Sequence, residues 1–261
     1  VTLNTTTGAL NKKTAIDSLN IANGSIAASD AGQSLIDTIK TLSTINKQLC
    51  SVDLEIKTYY PPAPFPAVDG AKFFYNTNGR LFLLAGWKGV GQSINEIHYS
   101  DDDGATWVQG ANASFAPRHG FGWVEYNGYF YVIGGDPDNT PSERSQVWRS
   151  AISDGLTWTL VSSSTIIQDK TLYTVTVYNN EVYVIGGQYT SGGAITAVAD
   201  RTVYKTSDFV NWTLVNTNVM PNIGSTYGTM SKWNNRFWLV AGEIYNATGT
   251  RSKKVYSTSD F

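Results

Sequence analysis

The chain repeats itself four times. "FFYNTNGRLFLLAG" (73–86) is followed by "WVEYNGYFYVIGG" (123–135), "VTVYNNEVYVIGG" (175–187) and "SKWNNRFWLVAG" (231–242). Each copy has an aromatic residue, an Asn, a short turn and an aromatic–aliphatic run that ends in Gly. The end glycines, Gly86, Gly135, Gly187 and Gly242, lie 49, 52 and 55 residues apart. Asn-Gly and Asn-Asn accept the positive φ of tight hairpins, and the runs suit pleated strands. A second element follows each copy: "IHYSDDDGATWVQ", "VWRSAISDGLTWTLV", "VYKTSDFVNWTLV" and "VYSTSDF". Trp107, Trp158 and Trp212 recur in it at one phase. Four short strands in a period of ~50 residues is the pattern of a propeller blade. The predicted fold is therefore mainly β, a β-propeller over residues 69–261 with four blades visible and the last incomplete. The fourth copy stops at Phe261, so further blades are expected. Closure of four blades by a strand from before residue 73 is the alternative.

The repeat also assigns faces. Strand a should end at Tyr75, Tyr126, Tyr178 and Trp233. The a–b hairpins and c–d turns then share one face. The other face holds the d–a connections and the b–c loops, predicted at 87–95, 136–145, 188–201 and 243–253. Long loops shape ligand sites more readily than tight turns, which directs attention to this second face. Trp87, Tyr189 and Tyr245 follow strand b there, and such aromatics suit stacking on sugars or protein contacts. Arg118 and His119 lie on a d–a connection, where an arginine serves either a ligand or the tying of neighbouring loops. Asp136, Asp138 and Glu143 form an acidic loop cluster, read as solvated in preference to cation-binding.

"SDDDGATW" raises the question of a metal cage or an acid–base site. Its recurrence favours a turn. Asp and Ser side chains accept turn amides, and Gly takes the φ that other residues resist. A calcium site requires further oxygen ligands from elsewhere. Ser100, Asp102, Gly104, Thr106 and Trp107 resemble the Asp box of sialidase-like propellers, Ser-x-Asp-x-Gly-x-Thr-Trp. Later copies are degenerate and are represented by Trp158, by Asp208 with Trp212, and by Asp260. "APRHGFGWVEYNGYFYVIGG" (116–135) resembles a kelch repeat. These resemblances imply the architecture. A sialidase would also imply an arginine cluster, a Tyr–Glu nucleophile pair and a general acid, and the arginines here are scattered without a matching motif. No catalytic residue, metal or cofactor is therefore assigned, with calcium the minor alternative.

Residues 1–58 contain no Trp, Tyr, Phe or Pro. Leu35, Ile39, Leu42, Ile45, Leu49, Val52 and Ile56 step by three or four, a helical stripe of coiled-coil width. A helical stem that oligomerises or docks is expected there. A Pro-rich linker follows at 59–68, in "YYPPAPFPA". Stem, linker and propeller together resemble a phage tail fibre or other virion-associated adhesion protein. That layout implies a homo-oligomer, trimer favoured, or docking to other virion proteins through residues 1–58. It also implies a virion or extracellular location and a host glycan or surface protein as ligand. A secreted or surface bacterial enzyme acting on glycans, hydrolase or lyase, is the first alternative, and a kelch-type interaction scaffold the second. Charged residues make up only 15% of the chain and the net charge is −2, which points away from nucleic acid. No apolar run approaches the ~18 residues needed to span a bilayer. The single cysteine, Cys50, allows no internal disulfide, which fits a particle assembled in a reducing cytoplasm.

Overall fold

A computed structural model describes residues 63–259, apart from 90, 139–140, 164–169, 192–193, 218–224, 227–228, 235, 241–242, 245–249 and 252–254. All belong to one unit, Tyr59–Phe261. The expected stem at residues 1–58 lies outside the described residues.

The unit is a β-propeller of four antiparallel blades. Blade 1 is β1 (Lys72–Tyr75), β2 (Leu81–Trp87), β3 (Ser93–Ser100) and β4 (Val108–Gln109), paired in that order. Blade 2 is β5 (Gly122–Tyr126), β6 (Tyr129–Ile133), β7 (Gln146–Ala151) and β8 (Thr159–Ser163). Before blade 3 runs β9 (Lys170–Thr171); the blade itself uses β10 (Thr174–Tyr178) and β11 (Glu181–Ile185). Its b–c segment, expected as a loop, forms the hairpin β12 (Gln188–Ser191) and β13 (Ala194–Ala199), which pairs through β12 with β9. β14 (Val203–Thr206) and β15 (Thr213–Asn216) complete blade 3. Blade 4 follows the short strand β16 (Ser225–Thr226). It contains β17 (Thr229–Trp233) and β18 (Arg236–Val240), joined after β19 (Glu243–Ile244) and β20 (Thr250–Arg251) by β21 (Val255–Thr258). Three blades are four-stranded and the fourth is three-stranded among the described residues.

Local chemistry explains the hairpins. Asn127 and Gly128 both have positive φ, at 46° and 80°, as do Asn179 and Asn180 at 47° and 59°. Both positions positive is the two-residue turn that matches strand twist. Blade 1 instead closes with Asn76 N–H donating to the Arg80 carbonyl, a loop one residue longer. The added residue changes which side chain faces where. Tyr75 pairs with Leu81, whereas Glu125 pairs with Phe130 and Val177 with Val182 at the matching step. Alternate residues of a strand point to opposite faces, so a one-step slip reverses them. Tyr75 is exposed as a result, and Asn76 takes the buried place that Tyr126 holds in blade 2.

Each blade has two apolar faces, and the cores lie between blades. Phe74, Phe82 and Leu84 of blade 1 pack on Phe130, Val132 and Trp158 of blade 2. Tyr131, Ile133 and Tyr126 of blade 2 pack on Val182, Val184 and Phe209 of blade 3. Tyr183 and Ile185 of blade 3 pack on Leu239 and Met230 of blade 4. Asn76 Nδ2 donates to the Ser153 and Asp154 carbonyls, and the Tyr126 hydroxyl donates to the Asn180 carbonyl. Two different side chains at one repeat position thus tie each blade to the next.

Candidate functional site

On the face of the a–b hairpins and c–d turns, the acidic side chains are occupied by their own turns. The Ser100 hydroxyl accepts from the Gly104 amide and donates to Asp102, whose carboxylate accepts from the Thr106 amide at 2.8 Å and the Thr106 hydroxyl at 2.6 Å. Those bonds, the Thr106 hydroxyl foremost, hold the Asp102 carboxyl below its ordinary range. Trp107 Nε1–H donates to the Gly104 carbonyl, and its ring meets Phe65 edge-on at 5.3 Å. The turn before Trp158 repeats the pattern: Ser150 accepts from Gly155, Asp154 accepts from Leu156 and Thr157, and Trp158 Nε1–H donates to Gly155. The turn before Trp212 does so again through Thr206, Asp208 and Asn211. Asp260 lies outside the described residues.

Asp208 carries a pH prediction. The Asn211 amide, then its side chain, pull the Asp208 carboxyl from 3.8 down to about 2. A carboxyl depressed in the folded state stabilises the fold fully above its unfolded pKa, and the contribution disappears as pH falls through the folded value. Asp208→Ala is therefore expected to lower the melting temperature at pH 6 and to remove part of the loss seen in the native chain between pH 4 and about 2. Thermal melts across that range check it, and parallel pH profiles for the two proteins would refute it.

The opposite face is built on four matching bridges. The residue after each strand-b glycine pairs with the d–a connection: Trp87 with Asp69, Asp136 with His119, Gln188 with Thr171 and Glu243 with Thr226. These two-residue bridges were missed in the sequence because the paired residues share no type. Their only trace is a constant position after the glycine.

The predicted residues separate here into two groups. Arg118 and Asp136 are buried and belong to the frame. Arg118 donates from Nε to the Ala116 carbonyl at 3.1 Å, from Nη1 to the Gly134 carbonyl at 2.9 Å and from Nη2 to Gln146 Oε1 at 3.2 Å. Glu143 stands 3.5 Å from Nη2. Burial lowers the Arg118 pKa to about 10, opposed by Glu143, which leaves it charged at neutral pH. Asp136 accepts from Arg144 at 2.8 Å. Both residues are read in the sequence as loop-face contacts, and their burial corrects that reading: they tie loops together. In blade 3, Lys170 pairs with Asp200 and donates to Thr202 at 2.8 Å. Beside it, Gln188 is buried with neither amide atom hydrogen-bonded. Tyr189 lies in β12 rather than a loop, and Tyr245 lies outside the described residues.

Trp87 and His119 form the second group. The Trp87 ring is half-buried and stacks on His119 at 5.6 Å and 25°. His119 Nδ1 is hydrogen-bonded to the Ser93 hydroxyl at 2.8 Å and lies 4.0 Å from an Asp138 oxygen. Asp138 also accepts from the Ser93 amide at 2.6 Å and itself has φ of 40°. Blade 1 thus supplies Trp87 and Ser93, and blade 2 supplies His119 and Asp138. Ser, His and Asp meet here, but not as a nucleophilic triad. A triad needs Ser and Asp on opposite ring nitrogens, and here both approach Nδ1. The sequence marked Trp87 and His119; Ser93 carried no signal, because only the blade 1–blade 2 junction brings it to the histidine. Among the described residues no group of three or more His, Cys, Asp or Glu side chains is placed to hold a metal ion, and no helix is long and apolar enough to cross a membrane.

Compared with protein-family profiles, the chain matches none. No curated protein matches it either.

Proposed function

We propose that the chain is a non-catalytic binding module whose b–c face takes a glycan through the Trp87–His119 cluster. The observation that carries this reading is the half-buried indole of Trp87, stacked on His119 beside Ser93 and Asp138. An aromatic ring rimmed by hydrogen-bonding groups suits a sugar, which offers C–H surface on one side and hydroxyls at its edge. The acidic groups of the turn face are saturated by turn amides, which leaves acid–base chemistry without a free pair there. With residues 1–58 as a stem, the layout fits an adhesion protein of a virion or other extracellular particle that reads a host surface.

The reading is tested by glycan-array binding of the full chain, followed by calorimetry on the best ligand. Binding without turnover is expected, and Trp87→Ala is expected to weaken it about tenfold, ~1.4 kcal/mol, with the melting temperature unchanged. Cleavage of the bound glycan would transfer the site to a glycan-acting enzyme. Unchanged affinity in the Trp87 variant would remove the site altogether.

A further inference from the structure

The two outermost blade faces are the two halves of one interface. At the three internal junctions the rule is constant. Each blade offers a leading face to the next blade, made by Phe82 and Leu84, by Tyr131 and Ile133, and by Tyr183 and Ile185. The next blade answers with a trailing face, made by Phe130 and Val132, by Val182 and Val184, and by Phe237 and Leu239; all of these side chains are buried. The register extends both series by one. In blade 4, Ser231 pairs with Trp238 and Thr229 with Val240, so Trp233, Trp238 and Val240 form the fourth leading face. In blade 1, Phe73 pairs with Leu83 and Tyr75 with Leu81, so these four form the first trailing face.

Neither is covered. Trp233 is 68% exposed and Val240 46%, while Tyr75 is 65% exposed and Phe73 56%. The chain's own blade 1 therefore does not seal its blade 4. Exposed apolar patches of this kind mark interaction sites. The internal junctions also say what fits. Tyr178, the blade 3 counterpart of Trp233, meets Phe237 edge-on at 5.0 Å and lies 5.3 Å from Lys232 Nζ. In blade 1 those two partner positions are Leu81 and Tyr75.

We propose that blade 4 of one copy of this chain docks on blade 1 of a second copy, with Trp233 seated between Tyr75 and Leu81. Pairing at both ends closes two copies into a ring of eight blades, within the range of about four to eight over which propellers close. The interface is head-to-tail, and such a contact forms rings when its rotation closes. It is independent of the glycan reading and of any association through residues 1–58.

The test uses the full chain with Cys50→Ser. Chains carrying Trp233→Cys and chains carrying Tyr75→Cys are mixed and treated with a short bis-maleimide linker. The expected product is a covalent dimer in the mixture and in neither variant alone. Light scattering should give twice the 28.5 kDa of one chain, and Trp233→Lys should halve that mass. Both positions are exposed, so the variants fold. Four outcomes overturn the proposal: no cross-link in the mixture; Trp233→Cys linking to itself; a chain with both cysteines linking only within itself; or an oligomer that survives Trp233→Lys, which would place the association elsewhere.

Discussion

Arg118→Ala is expected to destabilise the propeller by about 3–5 kcal/mol, the range for breaking a buried ionic network by removing one partner. The guanidinium is buried and supplies donors to the Ala116 and Gly134 carbonyls and to Gln146. Its loss leaves those acceptors unsatisfied, and a buried orphan acceptor costs about 1–3 kcal/mol. Arg118→Lys keeps the charge but not the planar fork that reaches several acceptors at once, so it should recover only part of the loss. Urea unfolding of the three proteins checks this. A change below about 1 kcal/mol for the alanine variant, or a change in ligand affinity at unaltered stability, would return Arg118 to the role of a surface contact.

Phe209 carries the second large effect. It stands where Gly104 and Gly155 stand in the first two turns, and like them it has positive φ, 61° against 90° and 85°. A side chain in that region costs roughly 1–2 kcal/mol. Phe209 offsets the cost by stacking on Tyr131 at 3.7 Å and 14°, fully buried in the blade 2–blade 3 core. Phe209→Ala should lose about 3–5 kcal/mol, as for other buried phenylalanines. Phe209→Gly loses the same ring but also the strain, and should be the more stable of the two by about 1 kcal/mol. At an ordinary strand position alanine would be the better residue. Equal or reversed stabilities in the two variants would show that the left-handed conformation is absent.

Gly155 shows the same place filled from the other side. A Cβ there would meet the Phe82 ring at 2.8 Å. Blade 2 keeps the glycine because its neighbour supplies a Phe, and blade 3 supplies the ring itself against Tyr131. The degenerate turn "TSDFVNW" is thus a different solution to the same packing problem. This was not legible in the sequence, where only the missing Gly shows.

What was legible was local. Asn-Gly and Asn-Asn select their turns from two residues, and the strand runs that follow them are short enough to be read from composition. The ends of β1, β5, β10 and β17 at Tyr75, Tyr126, Tyr178 and Trp233 coincide with the repeat. Side-chain direction was not legible in blade 1, because one extra loop residue reverses the strand and puts Tyr75 outward. The b–c segment of blade 3 read as a loop because its strands pair with β9, a contact set outside the repeat.

The sequence by itself determined the period, the blade as the unit, and the turns, since each depends on residues within a few positions of one another. Only the tertiary structure decided which side chains meet across blades. It buried Arg118 and Asp136, brought Ser93 and Asp138 to the His119 that stacks on Trp87, and left Trp233 and Tyr75 open at the two ends. Each of those outcomes depends on the packing of one blade on another, a distance of some fifty residues along the chain, over which sequence patterns carry no register.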